Sequence, residues 1–226
     1  MPMKIRTIGD FLVIVPENAR LTEKDRESLM ALANEELEDE LNELMDEADS
    51  IAAPVALFGI CSVEDGGIVN GITVGSSLVE EKLAGKRRAI PYITSCGREL
   101  EAWSEKYRGD YLCEFWADEI KKRFLMHAYV AFRDYVQETY KTSGHLSALN
   151  PGSLPQWPIS GQKELFEILG GPEFVRDAIG VTYSDSWLMT PTKSMSGILF
   201  ESETVYENCQ HCPLERCPNR RAKRID

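Results

Sequence analysis

Apolar positions along the chain recur with two periods, and each period predicts one kind of element. The longest pattern covers residues 111–140, where apolar side chains recur every three or four residues and predict one long helix with a buried stripe. The stripe comprises Leu112, Trp116, Ile120, Phe124, Ala128, Ala131 and Tyr135. A similar spacing follows the helix-start signal at Thr22 and predicts a helix running to about Asp49. Shorter helices are predicted over residues 76–83, from the 95–100 segment to about 107, and over 162–169 and 172–179.

Short runs of apolar and β-branched residues predict the strands. These runs lie at residues 11–15, 55–60, 89–94, 181–183 and 196–200, and Gly66-Gly67 predicts a turn that lets residues 68–74 join the sheet. Residues 149–161 are rich in proline and glycine, which is typical of a loop. Long helices with scattered, non-alternating strands predict an α+β fold. We expect one domain over residues 1–205 and a Cys-rich, basic C-terminal tail over residues 206–226.

Charge and hydropathy restrict the classes of partner. The 226 residues carry a formal net charge of -12, although residues 210–226 alone carry +3. An acidic body lacks the cationic phosphate contacts that nonspecific nucleic-acid binding needs. No apolar run approaches the roughly 20 residues of a membrane span, and the N-terminus lacks a signal-peptide core. We therefore expect a cytoplasmic protein with reduced cysteines and no membrane or nucleic-acid partner.

The tail contains a candidate metal motif. Cys209, Cys212 and Cys217 lie within nine residues, and proline follows two of them. In a reducing compartment this spacing favours metal binding over a disulfide. An iron–sulfur cluster, a zinc ion and free thiols all stay open, with the cluster preferred, because proline-flanked cysteines are typical of iron–sulfur loops. The candidates for a fourth ligand are His211, Cys61, Cys96 and Cys113.

Two segments near the C-terminal end resemble a known family. The first, residues 149–158, contains Asn150-Pro151-Gly152-Ser153 and Trp157. The second reads Ser186-Trp187-Leu188-Met189-Thr190-Pro191-Thr192-Lys193-Ser194-Met195-Ser196-Gly197, and it precedes a predicted strand. Both segments, with the helix between them, resemble the activation domain of cobalamin-dependent methionine synthase in motif, order and spacing. The resemblance covers about residues 50–200.

The resemblance implies a fold and a function. It implies a single α+β domain built on a twisted, mainly antiparallel sheet with long helices. It also implies S-adenosylmethionine binding and capping of a cobalamin domain during reductive remethylation. On this basis the candidate cofactor-binding residues comprise Asn150, Pro151, Gly152, Ser153, Trp157, Met189, Thr190, Ser194, Ser196 and Gly197.

Two positions depart from the family's Arg-x-x-Pro-Gly-Tyr signature. Ala148 stands where the family has arginine, and Ser153 where it has tyrosine. Losing the arginine removes charge-assisted bonds to a carboxylate that are worth about 1.5–3 kcal/mol. We therefore expect weak or absent S-adenosylmethionine binding.

The preferred hypothesis is a stand-alone accessory protein that helps to reactivate a corrinoid-dependent methyltransferase, with the corrinoid carried by that partner and the cysteines relaying electrons. The alternative is a noncatalytic, metal-stabilised binding module that reuses the fold. Whether the chain is itself an enzyme stays open at this stage.

Overall fold

A computed structural model describes residues 2–140, 144–212, 214–216, 220 and 222–225. The helices are α1 (Glu23–Met30), α2 (Glu38–Ile51), α3 (Ser77–Leu83), α4 (Arg98–Ser104), α5 (Tyr111–Tyr140), α6 (Gln162–Ile168) and α7 (Pro172–Ile179). Short 3-10 turns occupy Glu35–Leu37, Glu105–Tyr107, Ile159–Gly161 and Asn208–Gln210. The strands are β1 (Met3–Ile8), β2 (Phe11–Pro16), β3 (Val55–Gly59), β4 (Cys61–Glu64), β5 (Ile68–Val69), β6 (Ile72–Thr73), β7 (Arg88–Ser95), β8 (His145–Leu149), β9 (Thr182–Tyr183), β10 (Met189–Thr190) and β11 (Ser194–Ser202).

The main sheet is antiparallel and runs in the order β1-β2-β3-β7-β11-β8. Strand β4 continues along β7 after β3 ends, and β5 and β6 extend the sheet from β4. Strand β7 lies at the centre, since it pairs with β3 and β4 along one edge and with β11 along the other, and all of its residues after Arg88 are buried. The predicted mixed fold with an antiparallel sheet is confirmed.

The core has helices on both faces of the sheet. The C-terminal half of α5 packs Tyr129 and Phe132 against Phe58 and Tyr92, whereas α6 and α7 cover the opposite face. The N-terminal half of α5 extends beyond the sheet and packs with α1, α2 and α4. Alternate residues of each strand face opposite sides, which explains why the central strands are apolar throughout.

The predicted helix over residues 22–49 is two helices. Thr22 does begin α1, where its hydroxyl caps Asp25 in a capping box. The helix ends at Met30, and the extended backbone of Asn34 separates it from the helical segment that starts at Glu35. The break lets α1 and α2 pack side by side with α5, a tertiary arrangement that one continuous helix would prevent.

Strands β1, β4, β8 and β10 lie where the sequence predicted none. Strand β1 is an edge strand with largely exposed residues, so no apolar run marks it. Strand β8 overlaps the start of the predicted 149–161 loop, and it forms because β11 supplies a hydrogen-bonding edge. Leu112 of the predicted α5 stripe is 38% exposed, whereas Trp116, Ile120 and Phe124 are fully buried. Among the described residues, no helix is long and apolar enough to cross a membrane.

Candidate functional site

A cleft of about 410 Å³ opens where the end of β8 meets the start of β11. Because the two strands are antiparallel neighbours, the residues that follow β8 lie beside the residues that begin β11. The two family-like segments, which residues 159–185 separate in the chain, thereby converge on one site. The described residues that line the cleft are Asn150, Pro151, Ser153, Ile159, Gln162, Trp187, Leu188, Met189, Thr192, Ser194, Met195 and Ser196.

Asn150 holds the two segments together. Its side-chain amide nitrogen donates to the Ser196 carbonyl at 2.7 Å and to the Tyr92 hydroxyl at 2.8 Å. The close approach of the two segments requires glycine at residue 197. A Cβ there would lie 2.3 Å from the Leu149 carbonyl oxygen and 2.6 Å from the side-chain amide nitrogen of Asn150. Gly197 thus supports the cleft wall without forming it.

The hydroxyls at the start of β11 are held in place by neighbouring side chains. The Ser196 hydroxyl donates to the Gln162 side-chain oxygen at 2.8 Å, and both residues are buried. The Ser194 hydroxyl lies 3.0 Å from the Ser95 hydroxyl and 2.8 Å from the Pro191 carbonyl oxygen. Hydroxyls with fixed partners give the cleft wall a defined shape and polarity.

A buried ion pair holds the loop before β11. The ammonium group of Lys121, on α5, lies 3.0 Å from a Glu101 carboxylate oxygen and 3.2 Å from the Thr192 hydroxyl. The same carboxylate accepts from the Thr192 backbone N–H at 3.0 Å. Side chains of the ion pair are only 8% and 16% exposed. A buried pair of this kind positions its partners strongly, because separating the charges leaves one of them uncompensated.

The outer rim of the cleft is apolar. The Trp187 ring packs on Tyr183 with centroids 5.3 Å apart, and Leu188 beside it is 64% exposed. Among the described residues that line the cleft, none carries a formal charge. The site therefore offers hydroxyls, amides, thioethers and apolar surface, which suits a large neutral surface better than a small ion.

The structure brings together Asn150, Pro151, Ser153, Met189, Ser194 and Ser196 of the predicted site in the cleft lining. The other four, Gly152, Trp157, Thr190 and Gly197, do not line it.

Trp157 is 1% exposed and packs beneath the loop with Leu149 and Leu165. Burial removes the large apolar ring from water, although the indole N–H has no hydrogen-bond partner there. At Gly152 the backbone φ is +80°, which favours glycine for conformational reasons.

Ala148 does not face the cleft. It pairs with Leu199 on β11, is 1% exposed, and lies in the apolar cluster that contains Tyr92 and Phe132. An arginine at this position would enter the core beneath α5. The packing of the sheet therefore favours alanine at this position, where the family signature has arginine.

The tail returns to the cleft loop. The Tyr206 backbone N–H donates to the Ser147 hydroxyl at 2.8 Å, and the Asn208 amide donates to the Asn150 side-chain oxygen at 3.4 Å. Cys209 follows directly. The loop carrying the thiols is held by Arg220, which donates to the Cys209 carbonyl at 2.6 Å and also to the Cys212 carbonyl at 3.4 Å. Cys209 and Cys212 are half-buried, and Cys217 lies outside the described residues.

The candidate fourth ligands differ in character. Burial raises the pKa of the Cys61 thiol to about 11 and that of Cys96 to about 12. Burial and a hydrogen bond to Glu40 raise the pKa of Cys113 to about 12. Thiols of this kind stay protonated at neutral pH and are poor ligands. His211 instead stacks on Tyr206 with centroids 5.6 Å apart, beside the thiol loop.

Within the described ranges, one group of three ligand-type side chains has its ligand atoms within 4.8 Å of one another: Glu40, Asp110 and Cys113. An Asp110 carboxylate oxygen accepts from the Cys113 backbone N–H at 3.1 Å at the start of α5. Asp110 thus caps α5, since an acidic side chain at a helix N-terminus satisfies its unpaired N–H groups, whereas Glu40 accepts from the Cys113 thiol at 3.4 Å.

Sequence reasoning missed Lys121, Glu101 and Arg220. Lys121 carried a signal: it lies four residues after Ala117 and three before Phe124, on the buried side of α5. A charged residue at such a position needs a buried partner. Arg220 carried no such signal, because its acceptors are backbone carbonyls.

Comparison with solved structures identifies the architecture. A crystal structure of the MetH reactivation domain bound to AdoHcy superposes with a TM-score of 0.59 and 15% sequence identity, covering 87% of this chain and 80% of that one. The chain has the fold of the MetH reactivation domain. No protein-family model matches the chain, and no curated protein matches it in sequence. At 15% identity the likeness establishes the fold alone.

Proposed function

We propose that this chain is a cytoplasmic accessory protein for the reductive reactivation, including remethylation, of a corrinoid-dependent methyltransferase. The observation that carries the proposal is the convergence of the two family-like segments on one cleft in a reactivation-domain fold. In the solved relative, the domain was crystallised with AdoHcy, a product of methyl transfer from S-adenosylmethionine. The partner would be a corrinoid-binding methyltransferase or corrinoid protein.

The cleft supports capping of a corrinoid that a partner carries. Its described lining is uncharged, and its rim presents Trp187 and the exposed Leu188. A corrinoid face is broad and flat, with amide groups at its periphery, so neutral hydrogen-bonding groups and apolar surface suit it. Ser194, which is half-buried at the start of β11, would contact the amides, and Leu188 would pack against the partner protein.

The tail supports a role in electron supply. The contact between Asn208 and Asn150 holds the adjacent Cys209 near the cleft loop. Cys209, Cys212 and Cys217 would hold an iron–sulfur cluster, which supplies one electron at a time when bound. Thiolate ligands suit such iron, and Arg220 would hold the loop while its charge offsets part of the negative charge of the ligands.

Titration with a corrinoid protein and with free cobalamin tests the capping role. We expect tighter binding of the corrinoid protein. The Leu188→Asp variant should weaken that binding about tenfold or more, because it buries a charge in the interface. Leu32→Asp is the matched control: Leu32 is 41% exposed in the connection between α1 and α2, and the change should leave binding unaltered. Tight binding of free cobalamin with no preference for the protein would contradict the proposal.

Metal analysis separates the preferred function from the metal-stabilised module. A specific observation favours the module as second candidate: Arg220 donates to the carbonyls of Cys209 and Cys212, which folds the tail back on itself beside these two thiols. Anaerobically purified protein should contain iron and acid-labile sulfide, and Cys212→Ser should remove both while the domain stays folded. Stoichiometric zinc, with a large loss of thermal stability on its removal, would support the module instead.

A further inference from the structure

A continuous row of side chains runs along the exposed side of α5. Tyr111, Phe115, Met126 and Val130 are 87%, 48%, 38% and 50% exposed. Glu119 and Lys122 lie between them and pair at 3.2 Å. Successive members are three or four residues apart, so all six lie on one face of the helix. The row spans about 28 Å at the rise of an α-helix.

The row is symmetric about its own centre. Glu119 and Lys122 are equally distant from the midpoint between residues 120 and 121, as are Phe115 and Met126. Tyr111 and Val130 form the outermost pair. A second copy of α5 laid antiparallel across the first would therefore place apolar residues against apolar residues at both ends. At the centre, Glu119 of each copy would face Lys122 of the other.

This pattern fits a second copy of the chain better than an unrelated partner. A two-fold interface is built from one surface patch meeting itself, so the patch must be complementary to itself in charge. In this row, Glu119 and Lys122 carry opposite charges at symmetric positions, so the patch is complementary to itself in charge. Steps along the row combine three and four residues, and helices that cross at about 20° keep such a row in contact along much of its length.

We propose that two copies of this chain associate through α5, in an antiparallel crossing centred on Glu119 and Lys122. Phe115 and Met126 flank the charges and exclude water from them, which strengthens the two ion pairs. Tyr111 and Val130 extend the contact at each end, and aromatic residues are enriched at such interfaces. This association is independent of the function proposed above.

Sedimentation velocity of the full chain over a range of concentrations tests the proposal. We expect a monomer–dimer equilibrium in the wild-type protein. Glu119→Lys places lysines opposite lysines and should raise the dimer dissociation constant about tenfold or more, and Lys122→Glu should do so through its glutamates. Glu138→Lys is the matched control: it reverses a charge on the same helix at an exposed position outside the row.

Mixing the two charge variants gives the sharpest readout. Within each variant the two charges are alike, whereas between the variants each lysine faces a glutamate. The mixture should therefore form a heterodimer although neither variant dimerises alone, a result that pairing within one chain cannot produce. Circular dichroism confirms that each variant is folded.

Two results would overturn the proposal. One is a wild-type protein that stays monomeric at the highest concentration reached, even if the row binds another protein. The other is a dimer unaffected by either charge variant, which would show that a different face associates.

Discussion

The Asn208 side-chain amide donates to the side-chain oxygen of Asn150 at 3.4 Å, which joins the Cys-rich tail to the loop that lines the cleft. Asn150 in turn donates to Tyr92 and to the Ser196 carbonyl. One asparagine thus connects the sheet, the cleft and the segment that precedes Cys209. Changes at this residue should affect all three.

Asn150→Ala should lower the free energy of unfolding by about 1–3 kcal/mol, because the Tyr92 hydroxyl and the Ser196 carbonyl lose their shared donor. Urea denaturation measures this change. Asn42→Ala, on α2, is the control and should change stability little, since alanine favours helix formation. Limited proteolysis of Asn150→Ala should also cut the tail faster than in the wild-type chain. Equal tail cleavage in both proteins would show that Asn150 does not hold the tail.

Lys121→Met should destabilise the protein by about 3–5 kcal/mol, because it leaves the Glu101 carboxylate without its cation in a largely buried site. Adding Glu101→Leu should recover much of that loss, since an apolar pair avoids burying an unpaired charge. Thermal and chemical denaturation measure both effects. The exposed Lys163→Met serves as control and should be close to neutral. If the double variant were no more stable than Lys121→Met alone, the lost stability would come from the contacts of Lys121 and Glu101 with Thr192 and not from the unpaired charge.

Thiol labelling of the metal-free protein should separate the cysteines into two classes. Burial raises the pKa of Cys61 to about 11 and those of Cys96 and Cys113 to about 12, so these should react slowly at neutral pH. Cys209 and Cys212, which are half-buried, should react first. Mass spectrometry of iodoacetamide-treated peptides measures each rate, and labelling in denaturant should remove the difference. Rapid labelling of Cys113 in the native protein would contradict its burial.

Calorimetry should detect weak or no S-adenosylmethionine binding by the native protein. The described cleft lining offers no charged partner for the ligand's carboxylate. Ser153→Tyr should raise the affinity by adding a ring to the cleft wall, whereas Ala148→Arg should destabilise the fold, because the arginine would enter an apolar cluster. Micromolar binding by the native chain would show that the cleft recognises the ligand by other means.

Local patterns in the chain predicted most of its helices because helix signals are local, but they joined α1 and α2 into one helix. The spacing of Trp116, Ile120 and Phe124 predicts α5, and the capping pair of Thr22 and Asp25 predicts the start of α1. Such signals depend on neighbours within one or two turns. The resemblance of two segments to a known family also pointed to the correct fold, because each motif is a continuous stretch of the sequence.

Tertiary structure decided what the sequence left open. Strand β8 exists because β11 supplies its partner edge, and that pairing both forms the cleft and turns Ala148 into the core. Trp157, predicted to bind, is buried beneath the loop instead. The ion pair of Lys121 and Glu101 and the contact of Asn208 with Asn150 join residues distant in the chain. Local patterns determine which face of an element is apolar, but the partner that this face meets depends on how the whole chain packs.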